Sequence, residues 1–258
     1  MKLYSKYLAM HLKSHMQYKT SLFFSSMGQF LMAFSTFLGI HFLFDRFDSV
    51  GGFGYEEVLI CFAIILVAYT LGEVIGRGFD RFPEMLGNGG FDRVLVRPRS
   101  VIFQVLSSQI NTARTAILIQ AVGMLIYAIP RSGIIWTYDN ILVMCLMIIC
   151  GTILFFSFFL LYGAVAFFTV EGLEFMNILT SGAREHGRLP YGIYGDGVLR
   201  FLTFVIPLAL VQYYPLLYLT RREESILYAI MPIFATVFLL PCYLMFRFGM
   251  SKYKSTGS

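Results

Sequence analysis

Charged positions along this chain are gathered between long apolar stretches and do not alternate with hydrophobic ones. Residues 20–44, 140–170, 201–220 and 225–246 contain no Asp, Glu, Lys or Arg, and residues 58–76 contain only Glu73. About 20 helical residues cross a hydrocarbon core of about 30 Å, so these stretches are long enough to span a bilayer. A further run, residues 115–130, is short, and extending it back to Asn111 brings in Arg114. The long stem of that arginine can carry its charge to the interface. The pattern therefore predicts an all-α integral membrane protein with six transmembrane helices, at about residues 21–44, 57–76, 111–130, 140–169, 200–219 and 225–247.

Residues 3–19 follow another rule. Leu3, Tyr4, Tyr7, Leu8, His11, Leu12 and Met16 recur at helical spacing, while Lys2, Lys6, Lys13 and Lys19 lie largely off that stripe. A basic amphipathic helix of this kind lies in the membrane interface. The first apolar run after it is too long for a signal-peptide core and lacks a clear small-residue cleavage site, so it is expected to be retained. The connections 45–55 and 131–139 are short, whereas 77–110 and 171–197 are the longest soluble parts expected.

Composition agrees with this class. Hydrophobic residues make up 57% of the chain and charged residues 14%, against about 25% charged in soluble domains. With an even number of spans both termini share a side. That side collects Lys2, Lys6, Lys13, Lys19, Arg77, Arg81, Arg93, Arg97, Arg99, Arg184, Arg188, Arg200, Arg247, Lys252 and Lys254, against Arg46, Arg131, Arg221 and Arg222 on the other. The positive-inside rule places both termini in the cytoplasm. The net charge of +5 follows from this bias, and no nucleic-acid partner is implied.

Catalytic signatures are scarce. A P-loop requires a Gly-Lys pair, and the sequence contains none, so this chain is not expected to hydrolyse ATP. No nucleophile elbow or H-E-x-x-H pattern occurs. Cys61, Cys145, Cys150 and Cys242 lie inside apolar runs without C-x-x-C spacing, which reads as packing and gives no reason to expect disulfides or a metal site. His11 and His15 stand one helical turn apart, but no further ligand lies near them in sequence, and interfacial histidines on a basic helix are the better reading. His41 reads as packed or interfacial. Glu73 and Arg114 are ionisable groups near membrane depth, where charge is costly. Glu73 precedes Arg77 at i, i+4, an acid–base pair. The two groups read as interfacial charges, with a salt bridge or a place on a translocation path as the alternative. Pro207 falls inside the fifth span and Pro232 and Pro241 inside the sixth, where neighbours must satisfy the freed carbonyls.

The segment 77–100 carries a motif. Gly90, Asp92, Leu95, Arg97 and Pro98 match a "G-x-(aromatic or Leu)-D-x-x-L-x-R-P" pattern. A second match runs through Tyr191, Gly192, Ile193, Tyr194, Leu199, Arg200, Pro207, Tyr213, Tyr214 and Pro215, with Gly195 and Gln212 departing from the usual Pro and Asn. In these stretches the chain resembles the permease subunits of bacterial type-2 ATP-binding-cassette exporters, in particular a six-span subfamily. That resemblance implies a heteromeric complex in the bacterial cytoplasmic membrane. A separate nucleotide-binding ATPase would carry the ATP and Mg, with no cofactor in this chain, and a second copy or a homologous permease would complete a dimer. Residues 77–100 would hold a cytoplasmic coupling helix, with Gly90, Asp92, Arg93, Leu95, Arg97 and Pro98 facing the ATPase. Two other classes compete. An ion-coupled secondary transporter would use Glu73, and an intramembrane enzyme lacks a convergent catalytic cluster.

Overall fold

A computed structural model describes residues 17–109, 114–169 and 173–255, together with Met10, Lys13 and Ser14. Most of the expected interfacial helix, including His11 and His15, lies outside the described residues. The first long helix, α1, runs over Lys19–Arg46, and α2 over Tyr55–Asp80. Three short helices follow: α3 (Phe82–Gly87), α4 (Gly90–Leu95) and α5 (Val101–Ser108). Next come α6 (Thr115–Ala128) and α7 (Tyr138–Val165). The remainder holds α8 (Ser181–His186), α9 (Asp196–Phe204), α10 (Leu208–Leu219), α11 (Ile226–Ala235) and α12 (Leu239–Lys252).

Among the described residues four helices have the length and apolar content to cross a bilayer: α1, α2 with its extension to Gly87, α7, and α11 with α12. The expected fifth span is not one rod. Its halves α9 and α10 meet at 113°, and the break falls at Pro207, which caps α10. Proline has no N–H for the ladder and its ring clashes with the preceding turn, so the chain turns there. Pro241 has a milder effect: the turn before it tightens into a 3-10 segment, Thr236–Phe238, and the helix continues. The third expected span is helical from Thr115, and with the 3-10 turn at its end reaches Arg131. At 1.5 Å per residue its described part is about 25 Å long.

The core forms around α2. It packs against α7 along its length, against α6 on a second side and against α5 near its Asp80 end. Ile65, Ala68 and Tyr69 join Phe155, Phe158 and Phe159 of α7 in one apolar cluster, which extends to Phe79, Phe82, Phe91 and Phe246. A second cluster, nearer Tyr55, joins Val58, Leu59 and Phe62 to Ala121 and Met124 of α6 and to Leu216 and Leu219 of α10. Cys61, Cys150 and Cys242 are buried in this packing, whereas Cys145 turns outward.

The connection 171–197 departs from expectation. Its described part is not a loop outside the bundle but lies along α2. Tyr191 is fully buried. Its backbone N–H donates to Gln212 Oε1 at 3.1 Å, and the Gln212 amide donates to the carbonyls of Gly187 and Leu189 at 3.0 and 2.9 Å. Ile193 reaches the Gly51 turn between α1 and α2, at the end of α2 opposite Asp80. Buried backbone groups need partners, and one buried glutamine supplies three of them. Gln212, where the resembled family has Asn, thus has a structural task. Arg222 closes the same end by donating to Glu57 at 2.8 Å and to the Gly52 carbonyl at 2.6 Å.

Candidate functional site

Two places concentrate polar chemistry. The first is the short-helix element after α2. Its base is aromatic: Phe82 meets Phe91 edge-on at 5.2 Å, and both lie against Phe167, at 5.1 and 5.5 Å. Phe246 of α12 completes the stack at 5.6 Å from Phe82. Such edge-to-face pairs add to the burial term and fix α3 and α4 to the helix bundle. Asp92 faces the C-terminal segment. Tyr253 Oη donates to one carboxylate oxygen at 3.1 Å and Ser255 Oγ to the other at 2.7 Å, while the Tyr253 ring packs on Phe91 at 4.9 Å. The loop beyond α4 is held by Gln104, whose amide donates to the carbonyls of Val94 and Arg99, each at 3.0 Å.

The residues singled out from sequence divide on this base. Gly90 and Asp92 belong to its construction. Arg93, Leu95, Arg97 and Pro98 are exposed, and so is Val96 at 83%. Arg93, Arg97 and Arg99 border a cavity of about 560 Å³ together with Met85 and Phe103. The result is an outward apolar tip, Leu95 and Val96, ringed by cations on a rigid mount.

The second place lies between α1, α6 and the segment 181–194. Glu73 is 2% exposed and accepts from two arginines, Arg114 at 2.6 Å and Arg77 at 3.4 Å. Arg77 also reaches Asp80 at 2.6 Å. Arg114 donates to Gln29 Oε1 of α1 at 2.6 Å. Glu73 and Arg114 are therefore brought together as a buried ion pair. The i, i+4 pair of Glu73 with Arg77 is present. Arg184 pairs with Glu185 at 2.6 Å and lies over the Tyr69 ring at 5.0 Å, and Arg188 also pairs with Glu185. A cavity of about 420 Å³ is bordered by Gln29, Thr36, Arg114, Arg184 and Arg188.

From the sequence Arg184 and Arg188 count only as inside charges, and Glu185 is not singled out, because they sit in a stretch read as a soluble inner connection. The signal that could have found them is the glycines. A Cβ on Gly187 would stand 2.9 Å from Ile65 Cγ2 of α2, and one on Gly192 would fall on the Tyr213 ring. Glycine at such places marks backbone pressed against another element. His41 is exposed on α1, its ring parallel to Phe37 at 6.5 Å and 5.7 Å from Tyr55.

The family model described as ABC-2 family transporter protein matches residues 30–257. That range takes in α1 from residue 30 onward, the other long helices, the short-helix element and all of the groove but Gln29. The chain belongs to the ABC-2 family of transporter proteins. No curated protein and no solved structure matches it. As an ABC-2 membrane protein it is a transport component and not itself an enzyme, and its multi-pass all-α fold is that of a membrane permease. In this ABC-2 chain the exposed element sits at the Asp80 end of α2 and the groove lies deeper in the bundle.

Proposed function

We propose that this chain is the membrane-spanning half of an ATP-driven exporter in the bacterial cytoplasmic membrane, docking a separate nucleotide-binding subunit through the element built on α3 and α4. The observation that carries this reading is the exposed tip of Leu95 and Val96 flanked by Arg93 and Arg97, mounted on a buried aromatic stack. Exposed apolar side chains on a rigid mount, ringed by charge, suit an interface whose centre is apolar and whose rim is polar. The rigidity matters as much as the exposure. Phe82 and Phe91 touch Phe246 or Phe167, so a push on the tip passes directly into α12 and the segment following α7. Rigid-body tilting of packed helices is one established route to alternating access.

The positive-inside bias supports placing this element and both termini on the cytoplasmic side, and it survives when Arg184 and Arg188 are set aside as groove residues. The sequence has no P-loop, so ATP and Mg belong to the partner. The exposed flank of α1 favours a second permease, identical or homologous, across that flank. An ion-coupled mechanism would call on Glu73, but its carboxylate is already held by Arg114 and Arg77.

The test is purification of the tagged chain from its native membranes, with nucleotide hydrolysis as readout. ATPase activity should copurify with the wild type and be lost with Val96→Asp, while the melting temperature of the permease stays the same. Copurifying activity that is untouched by Val96→Asp and Leu95→Asp together would overturn the docking assignment. A chain that moves cargo in ATP-free vesicles, and stops when Glu73 is neutralised, would replace it with the ion-coupled reading.

A further inference from the structure

The groove beside α1 is larger than the ion pairs that line it require. Its first compartment, about 420 Å³, continues into a second of about 430 Å³ through shared lining by Ser35, Thr36, Glu185 and Arg188. Both volumes fall in the range of small-molecule sites. One wall is α1 and the other is the segment 181–194, and Phe62 and Leu66 of α2 with Ile117 of α6 contribute to the floor of the first compartment. Along α1 the groove runs from Gln29 to Leu43, about 21 Å at 1.5 Å per residue.

Its two ends differ in chemistry. The Gln29 end gathers the guanidiniums of Arg114, Arg184 and Arg188. The far end is bordered by Gly39, Ile40, Leu43, Leu189 and Tyr194, which is mostly apolar. Charge at the first end is not balanced. Among the described residues the ion pairs form two groups: Arg77 and Arg114 with Glu73 and Asp80, which balance, and Arg184 and Arg188 with Glu185, which leaves one cation in excess. The Nε groups of Arg114 and Arg188 are buried donors without a hydrogen-bond partner. Buried unpaired donors are costly, and guanidinium is suited to oxyanions that accept two hydrogen bonds at once.

We propose that this groove binds an anionic amphiphile, with an oxyanion headgroup such as a phosphate or carboxylate seated among Arg114, Arg184 and Arg188 and its apolar chain laid toward Leu43 and Leu189. This names the cargo class of the exporter reading and rests on that reading only for calling the ligand cargo. The bound headgroup supplies the negative charge that the Arg184, Arg188 and Glu185 group lacks. The apolar chain covers surface that α1 leaves open, since α1 leans on α6 and α2 and stands apart from 181–194.

The experiment is equilibrium binding of radiolabelled dodecyl phosphate to the full chain in phosphatidylcholine nanodiscs, without nucleotide. Saturable binding is expected, with dodecanol and inorganic phosphate both poor competitors. Arg188→Gln should weaken it about tenfold, the loss of one charge-assisted hydrogen bond. Thr36→Trp, which fills the groove without changing charge, should abolish it with the melting temperature retained. Absence of saturable binding overturns the proposal, as does unchanged affinity in both variants. Equal competition by dodecanol removes the anion requirement, and equal competition by inorganic phosphate removes the amphiphile; either outcome overturns it. Binding that persists in a chain with no ATP-dependent transport would sink the exporter reading and leave the site standing.

Discussion

Helices α1 and α2 look alike in sequence and occupy opposite situations in the fold. Each is long, with an apolar stretch that carries at most one charge, Glu73 of α2, yet 83% of the apolar window of α2 is buried within the protein and only 11% of that of α1. The difference lies in side-chain size and shape along each helix. α2 brings glycines to its neighbours: Gly78 lies against the Val105 carbonyl of α5, and Gly76 against the Phe159 ring of α7. Small residues let helix backbones approach closely when no hydrophobic force drives them together in lipid. α1 instead stacks its own rings, Phe30 on Phe34 and Phe34 on Phe37, each at 5.9 Å, and Gly28 has nothing within 4 Å of its Cβ position. One apolar run builds the protomer, and the other is an outer wall that leaves a groove behind it.

The strongest way to break this contrast is at Gly78. A methyl group there would fall on the Val105 carbonyl oxygen, a backbone atom that cannot swing aside. Gly78→Ala should therefore cost about 3 kcal/mol, as overpacking against fixed atoms does, and it should shift α5 and the docking element with it. Thermal unfolding in mild detergent gives the stability change. A variant that melts with the wild type would mean that the α2–α5 contact yields freely and that α2 is no more locked than α1.

The next largest effect tests how α2 is tied to the looser elements. Glu73 joins α2 to Arg114 at the head of α6, and through Arg114 to Gln29 of α1. Glu73→Gln leaves a mostly buried guanidinium without its carboxylate, and breaking such a pair costs about 3 kcal/mol. Removing the charge on both sides, as Glu73→Gln with Arg114→Gln, should recover part of that loss. A double-mutant cycle reports the coupling directly, and a coupling energy near zero would show that Arg77 alone suffices for Glu73.

Much of this was legible in the chain before any coordinates. Run lengths gave the membrane class, and the Gly90, Asp92, Leu95, Arg97 and Pro98 motif pointed to the element that the structure shows exposed at Leu95 and Val96. Two things were hidden, each for a physical reason. Residues 181–194 carry Arg184, Glu185, Arg188, Pro190 and several glycines, which locally spell a solvated turn. Their burial depends on Gln212, more than twenty positions away, to satisfy their backbone. The unbroken apolar run 201–220 likewise hid a 113° turn, because hydropathy averages over Pro207 without feeling the missing N–H. Burial of this segment is a tertiary property, and Gly187 and Gly192 signal close packing in the sequence without naming Ile65 and Tyr213 as the surfaces they meet.

A smaller effect is expected at Asp92, which lies between the two helices in its degree of fixation. Its carboxylate holds Tyr253 and Ser255, so Asp92→Ala removes two hydrogen bonds near the surface, about 1 kcal/mol in total after exchange with water. Global stability should hardly change. Limited proteolysis from the C-terminus should quicken, with the cut advancing to the end of α12. Unchanged proteolysis would mean that the packing of Tyr253 on Phe91 holds the segment by itself.

The smallest effect is at Gly28, and it is the sharpest discriminator of what α1 faces. In α2 the methyl of Gly78→Ala meets backbone, whereas in α1 the methyl of Gly28→Ala meets nothing within 4 Å. Only helix propensity then acts, and alanine is favoured over glycine by about 0.5–1 kcal/mol in a helix interior. Gly28→Ala should leave the melting temperature level or slightly raised in the isolated protomer. The same substitution in the assembled transporter carries separate information. If a second permease lies against this face of α1, the added methyl would meet it, and dimer recovery would fall while protomer stability held. If lipid lies there, both measurements would stay level. A lowered protomer melting temperature would contradict the open face itself, and with it the difference between α1 and α2.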